Sequence, residues 1–426
     1  MRPRGSIVPR RIAVPPPAAP SFICSTCRFA AAAAAAPRRA RPFSSTSPAR
    51  SSPIPPPPPP SGLVALSSRR LISVSGPDCP KFLQGAITQN ILPLASSSSS
   101  DSAVAAGSYG AFLNATGRVL HDVFIYRDPR GATPGESFLI EVDAAEAPRL
   151  ERHIKRYKLR ANFAVRLLAP GEVTVWHGWD DKAGAAAALA VGEAPHQLLH
   201  LRDPRAPGLG HRILTEAGRD PAVELERATA GEDAYRVRRY LMGVPEGQSE
   251  LAREGALPLE ANMDVMGGID FRKGCYVGQE LTIRTRHRGV VRKRVLPVMI
   301  YGADGGEEQP SQLEYLPAAD GGSAVAVAVA SAIPTDTRIG RLGKRGRSAG
   351  KWLRGVGNVG LALCRLEVMT DVVLPGEPAA SSYTPADEFV MEGQAGEDGQ
   401  EDPFKVRVKA FVPEWLRQGL DEQQKH

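Results

Sequence analysis

The sequence predicts an α+β protein with two or three domains. At 426 residues, of which 42% are apolar and 23% charged, the chain has the composition of a globular protein and the length for more than one core. Between residues 62 and 165, alternating stretches typical of strands are interleaved with helix-like stretches. From 291 to 415, short β-like runs alternate with loops rich in glycine, proline and acids, which predicts a carboxy-terminal β-barrel-like domain.

Residues 1–43 have the composition of a mitochondrial presequence. They contain eight arginines and no acid, and the first acidic residue of the chain is Asp78. A basic, acid-free segment rich in serine and alanine is typical of a transit peptide. Arg41 and Phe43 stand three residues and one residue before a cut at Ser44, as in mitochondrial processing sites. We therefore predict import into the mitochondrial matrix; a disordered basic tail is the alternative.

The charge of the rest of the chain excludes some classes of function. The formal charge is +7, but without the eight arginines the chain is nearly neutral, which argues against a general nucleic-acid-binding protein. No apolar run approaches the roughly 18 residues of a membrane span, so we expect none.

Of the five cysteines, Cys24 and Cys27 lie in the predicted presequence, which leaves Cys79, Cys275 and Cys364. Three widely separated cysteines are typical of a reducing compartment rather than of a disulfide framework. They cannot supply the four thiolates of an iron–sulfur cluster. Any cluster bound here needs ligands from another chain.

The first elements are predicted after a Pro/Ser-rich linker over 44–61, whose prolines at 55–60 exclude a helix or a sheet ladder. Alternating apolar and polar residues predict strands at 63–66, 71–74, 109–114, 119–126 and 138–142. The turn at 115–117 should join the third and fourth of these as a hairpin. Helices are predicted at 78–92, ended by Pro93, and at 144–157, whose basic end suits the helix dipole.

The remaining segments complete the predicted domains. A core combines 62–165 with 226–290 and includes a helix at 234–242. A second lobe over 166–225 contains an alanine-rich helix at 183–190. The basic stretch 281–300 has a strand-like pattern. The last segments are the barrel-like domain at 291–415, with surface insertions at 302–320 and 376–402, and a tail at 416–426.

The stretch 271–280 is the densest in residues that carry chemistry. Gly274 and Gly278 flank Cys275 and permit close backbone approach. Lys273 supplies a cation that favours the thiolate over the thiol. The alternative is that Cys275 is a small buried residue and the glycines only shape a turn.

The run Lys273-Gly-Cys-Tyr-Val-Gly-Gln-Glu280 resembles the signature of the YgfZ-type folate-binding proteins and their mitochondrial iron–sulfur cluster assembly relatives, in the aminomethyltransferase (glycine-cleavage T-protein) superfamily. The likeness spans most of 63–412, with further motifs at 82–90, 112–114, 117–122, 284–294 and 360–365. It implies a three-lobed, ring-like fold with folate at the central opening. It also implies a mitochondrial matrix factor that matures four-iron, four-sulfur proteins together with A-type iron–sulfur carriers.

The resemblance assigns roles to residues of this chain. Cys275, beside Lys273, is implied to be the reactive thiol, which shares a cluster with a partner. Where the glycine-cleavage aminomethyltransferase has two adjacent aspartates, this chain has His121 and Asp122. One acid is kept and one is lost, which argues against proton transfer by a pair of carboxylates and against a glycine-cleaving enzyme.

The resemblance also implies a tetrahydrofolate site. Glu260 matches the acid that contacts the pterin, and Asn114, Arg118, Gln279 and Glu280 are assigned to the same cofactor site. The alternative for Glu260 is an ordinary surface salt bridge.

Three arginines follow the cysteine motif at alternate positions, Arg284, Arg286 and Arg288. On a strand they would share one face and could hold a folate polyglutamate tail or an acidic partner. A solvated edge strand is an equal alternative, and nucleic acid is the weakest because no aromatic platform accompanies the charges.

Two other patterns carry little weight. Residues 355–360 match GxGxxG without a surrounding βαβ unit, which predicts a loop. His196 and His200 are four residues apart but have no third metal ligand near them.

The sequence thus favours a cluster-maturation factor. The alternatives are a tetrahydrofolate-dependent aminomethyl- or methyltransferase of one-carbon metabolism, and an interaction protein whose ancestral pocket has decayed.

Overall fold

A computed structural model describes residues 54–96, 106–182, 197–221, 229–302, 308–317, 330–343, 346–374, 383–395 and 402–424. The predicted presequence with Cys24 and Cys27, residue His196 and the helix predicted at 183–190 lie outside these residues. The strands are β1 (Ser61–Ala65), β2 (Arg69–Ser75), β3 (Gly107–Leu113), β4 (Val119–Arg127), β5 (Ser137–Asp143), β6 (Ala164–Leu167), β7 (Val173–Asp180), β8 (Gln197–Arg202), β9 (His211–Glu216), β10 (Lys293–Tyr301), β11 (Arg338–Arg341), β12 (Gly350–Val356), β13 (Val359–Arg365), β14 (Phe389–Ala395) and β15 (Asp402–Ala410). The helices are α1 (Cys79–Ala86), α2 (Leu92–Ser96), α3 (Ala147–Tyr157), α4 (Glu232–Met242), α5 (Gln279–Arg288), α6 (Leu366–Met369) and α7 (Glu414–Gln424).

The first sheet contains five antiparallel strands in the order β3-β4-β5-β2-β6. Its predicted β3–β4 hairpin is present, with Tyr109 opposite Phe124. Because strand side chains alternate between faces, Ile72 and Phe138 join Leu83 of α1 and Ile154 of α3 in a core on one side. The helices therefore cover this face of the sheet.

The other face of the first sheet packs against a second sheet. That sheet has the order β1-β7-β9-β8, and its Trp179 and Leu214 share a core with Tyr109 and Phe124 of the first sheet. Strand β1 precedes the first sheet in the chain but pairs with β7. The first described strand thus belongs to the second sheet, the next strands form the first sheet, and the chain then returns to the second.

The carboxy-terminal domain is a closed barrel with the strand order β10-β13-β12-β11-β14-β15, which confirms the predicted barrel. Its interior is filled by fully buried side chains, among them Leu296, Trp352 and Met391. The stretch 355–360, predicted as a loop, pairs in the β12–β13 hairpin, with Gly355 opposite Gly360. Glycine is required at both positions because a Cβ on either would collide with the Trp352 ring.

The prolines predicted to be a linker are held against the folded body. The Trp179 indole N–H donates to the carbonyl of Pro59 at 2.9 Å, and the Tyr315 hydroxyl donates to the carbonyl of Pro55 at 2.6 Å. Proline keeps its carbonyl acceptor although it has no N–H. We call residues 55–60 the proline strap, since it joins a strand of the second sheet to a side chain near the barrel.

Some predicted element boundaries are wrong. The helix predicted at 78–92 ends at Ala86, because Ile87 leaves it to form a β-bridge with Phe112. Pro93 lies in the first turn of α2, where the missing N–H costs nothing. Helix α7 covers most of the predicted tail at 416–426 and buries two leucines. No helix among the described residues is long and apolar enough to cross a membrane.

Candidate functional site around Cys275

Residues 267–278, which we call the Cys275 loop, dock on the end of α1 and on the segment that follows it. The N–H of Asp270 donates to the carbonyl of Thr88 at 3.0 Å, and the N–H of Val277 donates to the carbonyl of Gly85 at 3.1 Å. The Thr88 hydroxyl in turn donates to the carbonyl of Gly268 at 2.6 Å. These bonds hold both ends of the loop against α1 and the residues just after it.

Lys273 contributes to the same docking. Its ammonium donates to the carbonyls of Ile87 at 2.8 Å and Gln89 at 2.7 Å. Burial lowers the pKa of Lys273 to about 8. The sequence predicted that Lys273 would serve as the cation beside the Cys275 thiolate; these contacts show that its ammonium also positions the loop.

Cys275 is exposed, whereas Cys79 and Cys364 are buried. Burial raises the pKa of the Cys79 thiol to about 12 and raises that of Cys364 as well. The alternative in which Cys275 is a small buried residue is therefore wrong. Among the described cysteines, Cys275 is the one that a second molecule can reach.

Two glycines bring the β3–β4 turn against the end of the Cys275 loop. Gly117 and Gly278 both have positive φ, at 80° and 79°. A Cβ on Gly278 would collide with the carbonyl of Asn114 and lie 3.2 Å from the Cα of Gly117. Glycine is thus needed at both positions for conformation and for space.

The structure assigns supporting contacts to Asn114 and Arg118. The Asn114 side-chain oxygen accepts the N–H groups of Thr116 at 3.0 Å and Arg118 at 2.9 Å, an arrangement typical of turns that begin with asparagine. The Arg118 guanidinium donates to the carbonyl of Gly255 at 2.8 Å. Both residues shape the turn beside the loop.

Gln279 and Glu280 begin helix α5 directly after the loop. The side-chain oxygen of Gln279 accepts the N–H of Tyr276 at 3.3 Å, which closes the loop onto the helix. Glu280 is exposed in the first turn, where a carboxylate is favourable to the helix dipole.

The strand predicted from 281 onward is wrong for its first eight residues. Gly278, in the left-handed conformation, precedes α5, and Gly289 ends it. Arg284 and Arg288 are therefore one helical turn apart, while Arg286 points elsewhere and stacks 5.2 Å from the Phe271 ring centre. Because Thr282 is the one buried residue of the helix, apolar burial imposes no clear pattern on this segment.

Glu260 lies in a cleft of about 240 Å³ between helix α5 and the barrel. Gly117 also lines this cleft, so the cleft borders the turn that touches the Cys275 loop. The wall is largely apolar, and the further lining residues include Leu257, Leu259, Leu281, Val290, Val291, Arg292 and Arg365. The Glu260 carboxylate is 22% exposed and lies 3.7 Å from the Lys293 ammonium.

The residues that line this cleft could hold a flat ring with an anionic tail. The apolar wall can receive a flat ring, the Glu260 carboxylate can accept ring N–H groups, and Arg292, Lys293 and Arg365 can attract carboxylates. The weak pairing of Glu260 with Lys293 leaves acceptor capacity on the carboxylate.

Asp122, the acid retained from the family's pair, is fully buried. It lies 3.3 Å from the Arg69 guanidinium and accepts the N–H of Gly247 at 3.2 Å. Burial raises its pKa, and the neighbouring Arg69 opposes that rise. These contacts give Asp122 a structural role and do not place it in the cleft with Glu260.

Asp122 belongs to a buried ionic network that the sequence analysis missed. Its other members are Arg69, Glu141, Asp203, Arg205, Arg212, Arg239, Glu246 and Glu250. Arg205 and Arg212 are less than 2% exposed and both pair with Glu246. A charged residue in an apolar strand such as β9, where Arg212 precedes Ile213 and Leu214, was the available signal.

The comparisons with known proteins agree with these features. A model of the CAF17 C-terminal β-barrel domain matches residues 292–418. The iron–sulfur cluster assembly factor IBA57 homologue of Pyricularia oryzae, named as mitochondrial, is 57% identical over 360 residues, 84% of this chain and 86% of the relative. The same homologue in Chaetomium globosum is 53% identical over 379 residues, 86% of each chain. This chain belongs to the IBA57 family of mitochondrial iron–sulfur cluster assembly factors.

A solved structure shows the fold of this IBA57-family chain. The glycine cleavage system aminomethyltransferase T from Bartonella henselae matches with a TM-score of 0.53 and 14% identity, covering 84% of this chain and 87% of the enzyme. At this identity the likeness shows the fold alone, and it confirms the predicted aminomethyltransferase-type architecture. Within the described residues, this chain has no group of three or more His, Cys, Asp or Glu that could hold a metal ion.

Proposed function

We propose that this chain matures four-iron, four-sulfur proteins in the mitochondrial matrix by sharing an iron–sulfur cluster with an A-type carrier through Cys275. The exposure of Cys275 on a loop held by backbone bonds carries this proposal. One thiolate from this chain leaves the other cluster ligands to the partner. Cleavage of residues 1–43 on import remains part of the proposal.

The loop positions the thiol by fixing the backbone around it. Lys273 and the bonds at Asp270 and Val277 order both sides of Cys275, so little conformational entropy remains to be lost when a partner binds. The cluster is transferred between the two proteins and is not a resident cofactor of this chain, which supplies the Cys275 thiolate as one of its ligands.

An anaerobic titration with a cluster-loaded A-type carrier tests the proposal. We expect the wild-type chain and Val277→Ala, a matched change of an exposed residue of the same loop, to alter the visible absorption or circular dichroism of the carrier's cluster. Cys275→Ser should not, because a serine hydroxyl is a poor iron ligand. An identical response from Cys275→Ser would remove the cysteine from the mechanism.

We also propose that tetrahydrofolate binds in the cleft at Glu260. Support comes from the apolar wall and the cations of the cleft, and from the Glu260 carboxylate, whose pairing with Lys293 at 3.7 Å leaves it able to accept further hydrogen bonds. A transferase activity has no comparable support, because the retained acid Asp122 is buried in an ion pair with Arg69. Isothermal titration with tetrahydrofolate under anaerobic conditions tests the binding. The absence of a heat of binding would contradict this proposal.

A further inference from the structure

Helix α5, directly after the Cys275 loop, presents cations to solvent. Arg284, His287 and Arg288 are exposed, and their spacing of three and four residues places them on one side of the helix. We call these three residues the basic face. The stacking of Arg286 on Phe271, at 5.2 Å, joins the last turn of the helix to the Cys275 loop, so the face and the thiol belong to one surface region.

The positive charge of this region is not balanced locally. Between Asp270 and Arg294 the sequence has eight lysines and arginines and two acids. Several of the cations have contacts inside the molecule, among them Lys273 with two carbonyls, Arg286 with Phe271, Lys293 with Glu260 and Arg294 with Asp264. Within the described part of the chain, no acidic side chain forms an ion pair with Arg284 or Arg288.

Helix stability explains only part of this arrangement. Cations in the last turn of a helix stabilise its negative end, which accounts for Arg286, His287 and Arg288. Arg284 lies before that turn, where the dipole effect has fallen off. The helix dipole therefore does not account for the exposed cation at position 284.

We infer that the basic face receives an acidic surface of the cluster-carrying partner and thereby orients that partner's cluster toward Cys275. The inference rests on the proposed function and extends it to a second contact. Thiolate-ligated clusters are anionic, and acidic side chains near them would meet cations on this face. Such complementarity raises the rate of encounter and fixes orientation more than it adds buried contact.

A pair of charge reversals with a matched control tests the inference. Arg284→Glu/Arg288→Glu reverses the basic face, and Arg152→Glu/Arg156→Glu reverses two exposed arginines with the same spacing on α3. Both variants should fold as the wild type does, because all four side chains are exposed. The measurement is the affinity and association rate for the cluster-loaded carrier, anaerobically, in low and in high salt.

We expect the α5 variant to associate roughly tenfold or more slowly in low salt, with a smaller difference in high salt because of screening, and the α3 variant to match the wild type. Equal binding by the two variants would overturn this inference and leave the proposed function standing. A wild-type chain that does not bind the carrier would overturn both the inference and the proposed function. A third outcome would also overturn the inference. In it, the wild type binds anionic vesicles or RNA, and the α5 variant loses that binding while its affinity for the carrier stays unchanged.

Discussion

Gly117 and Gly278 face each other across the contact between the β3–β4 turn and the end of the Cys275 loop. Both have left-handed backbone conformations, and the carbonyl of Gly278 lies 2.9 Å from where a Cβ of Gly117 would be. The Cys275 loop, the β3–β4 turn and the Glu260 cleft all meet at this pair of glycines.

Replacing Gly278 with alanine should therefore destabilise the site. The strained φ and the collision with the Asn114 carbonyl should together lower the free energy of unfolding by about 1–3 kcal/mol. Gly274→Ala is the control, since no atom lies within 4 Å of its Cβ position. Denaturant unfolding of the two variants checks this, and equal stability would contradict the described packing.

Thiol-specific labelling should distinguish the cysteines. In the native state, an alkylating reagent should modify Cys275 rapidly and leave Cys79 and Cys364 unmodified, because the latter are buried and their thiol pKa values are raised. Peptide mass mapping after a short exposure measures this. Labelling of Cys79 before Cys275 would show that the loop is not exposed in solution.

Two acid-to-amide changes should have opposite consequences. Glu260→Gln should weaken tetrahydrofolate binding by about 1.5–3 kcal/mol through loss of a charged acceptor, with little change in stability since the carboxylate is partly exposed. Asp122→Asn should leave binding unchanged and lower stability by about 1–3 kcal/mol, because it weakens a buried pair with Arg69. Calorimetry and thermal unfolding separate the two effects, and folate affinity lost in Asp122→Asn alone would reverse the assignment.

Acidification should destabilise the fold through buried histidines. Burial first, and then Arg253 and Arg212 respectively, lower the pKa values of His121 and His177 to about 3. Below about pH 6.5 the unfolded chain binds protons at these residues, while the native state does not. Each histidine therefore lowers the free energy of unfolding by up to about 1.4 kcal/mol per pH unit of acidification. The loss begins below that pH and ends near the folded pKa.

Denaturant titrations at a series of pH values test this. The His121→Asn variant should show a shallower loss of stability on acidification than the wild type. The exposed His287→Asn serves as the control. Parallel curves for the wild type and His121→Asn would show that this histidine is accessible to protons in the native state.

The sequence predicted the strands and the family because their signals are local. Alternation gave the β3–β4 hairpin, and eight consecutive residues around Cys275 carried the resemblance. Helix α5 was predicted as a strand because arginine and threonine alternate at 284–286, and the helix instead follows from the glycine conformations at its two ends. A run of charged residues without buried apolar neighbours does not distinguish the two-residue period of a strand from the 3.6-residue period of a helix.

The buried network and the role of Lys273 could not be predicted for a different reason. Arg69 and Asp122 come together from positions 53 residues apart, Glu246 joins them from more than a hundred residues further along the chain, and Lys273 reaches carbonyls 184 and 186 residues away. Side-chain chemistry predicts that buried charges find partners, but only the folded topology specifies which ones.

The proline strap has a consequence for how the chain is completed in its compartment. Pro55 and Tyr315 are 260 residues apart, so a chain that enters a compartment amino-terminus first delivers the acceptor long before the donor. Contacts of such long sequence separation form late and slowly in folding. The Pro55 end of the strap can therefore be held only after the barrel segment has arrived, whereas the Pro59 end is held by Trp179. A chain truncated before Tyr315 would leave the Pro55 end exposed to proteases.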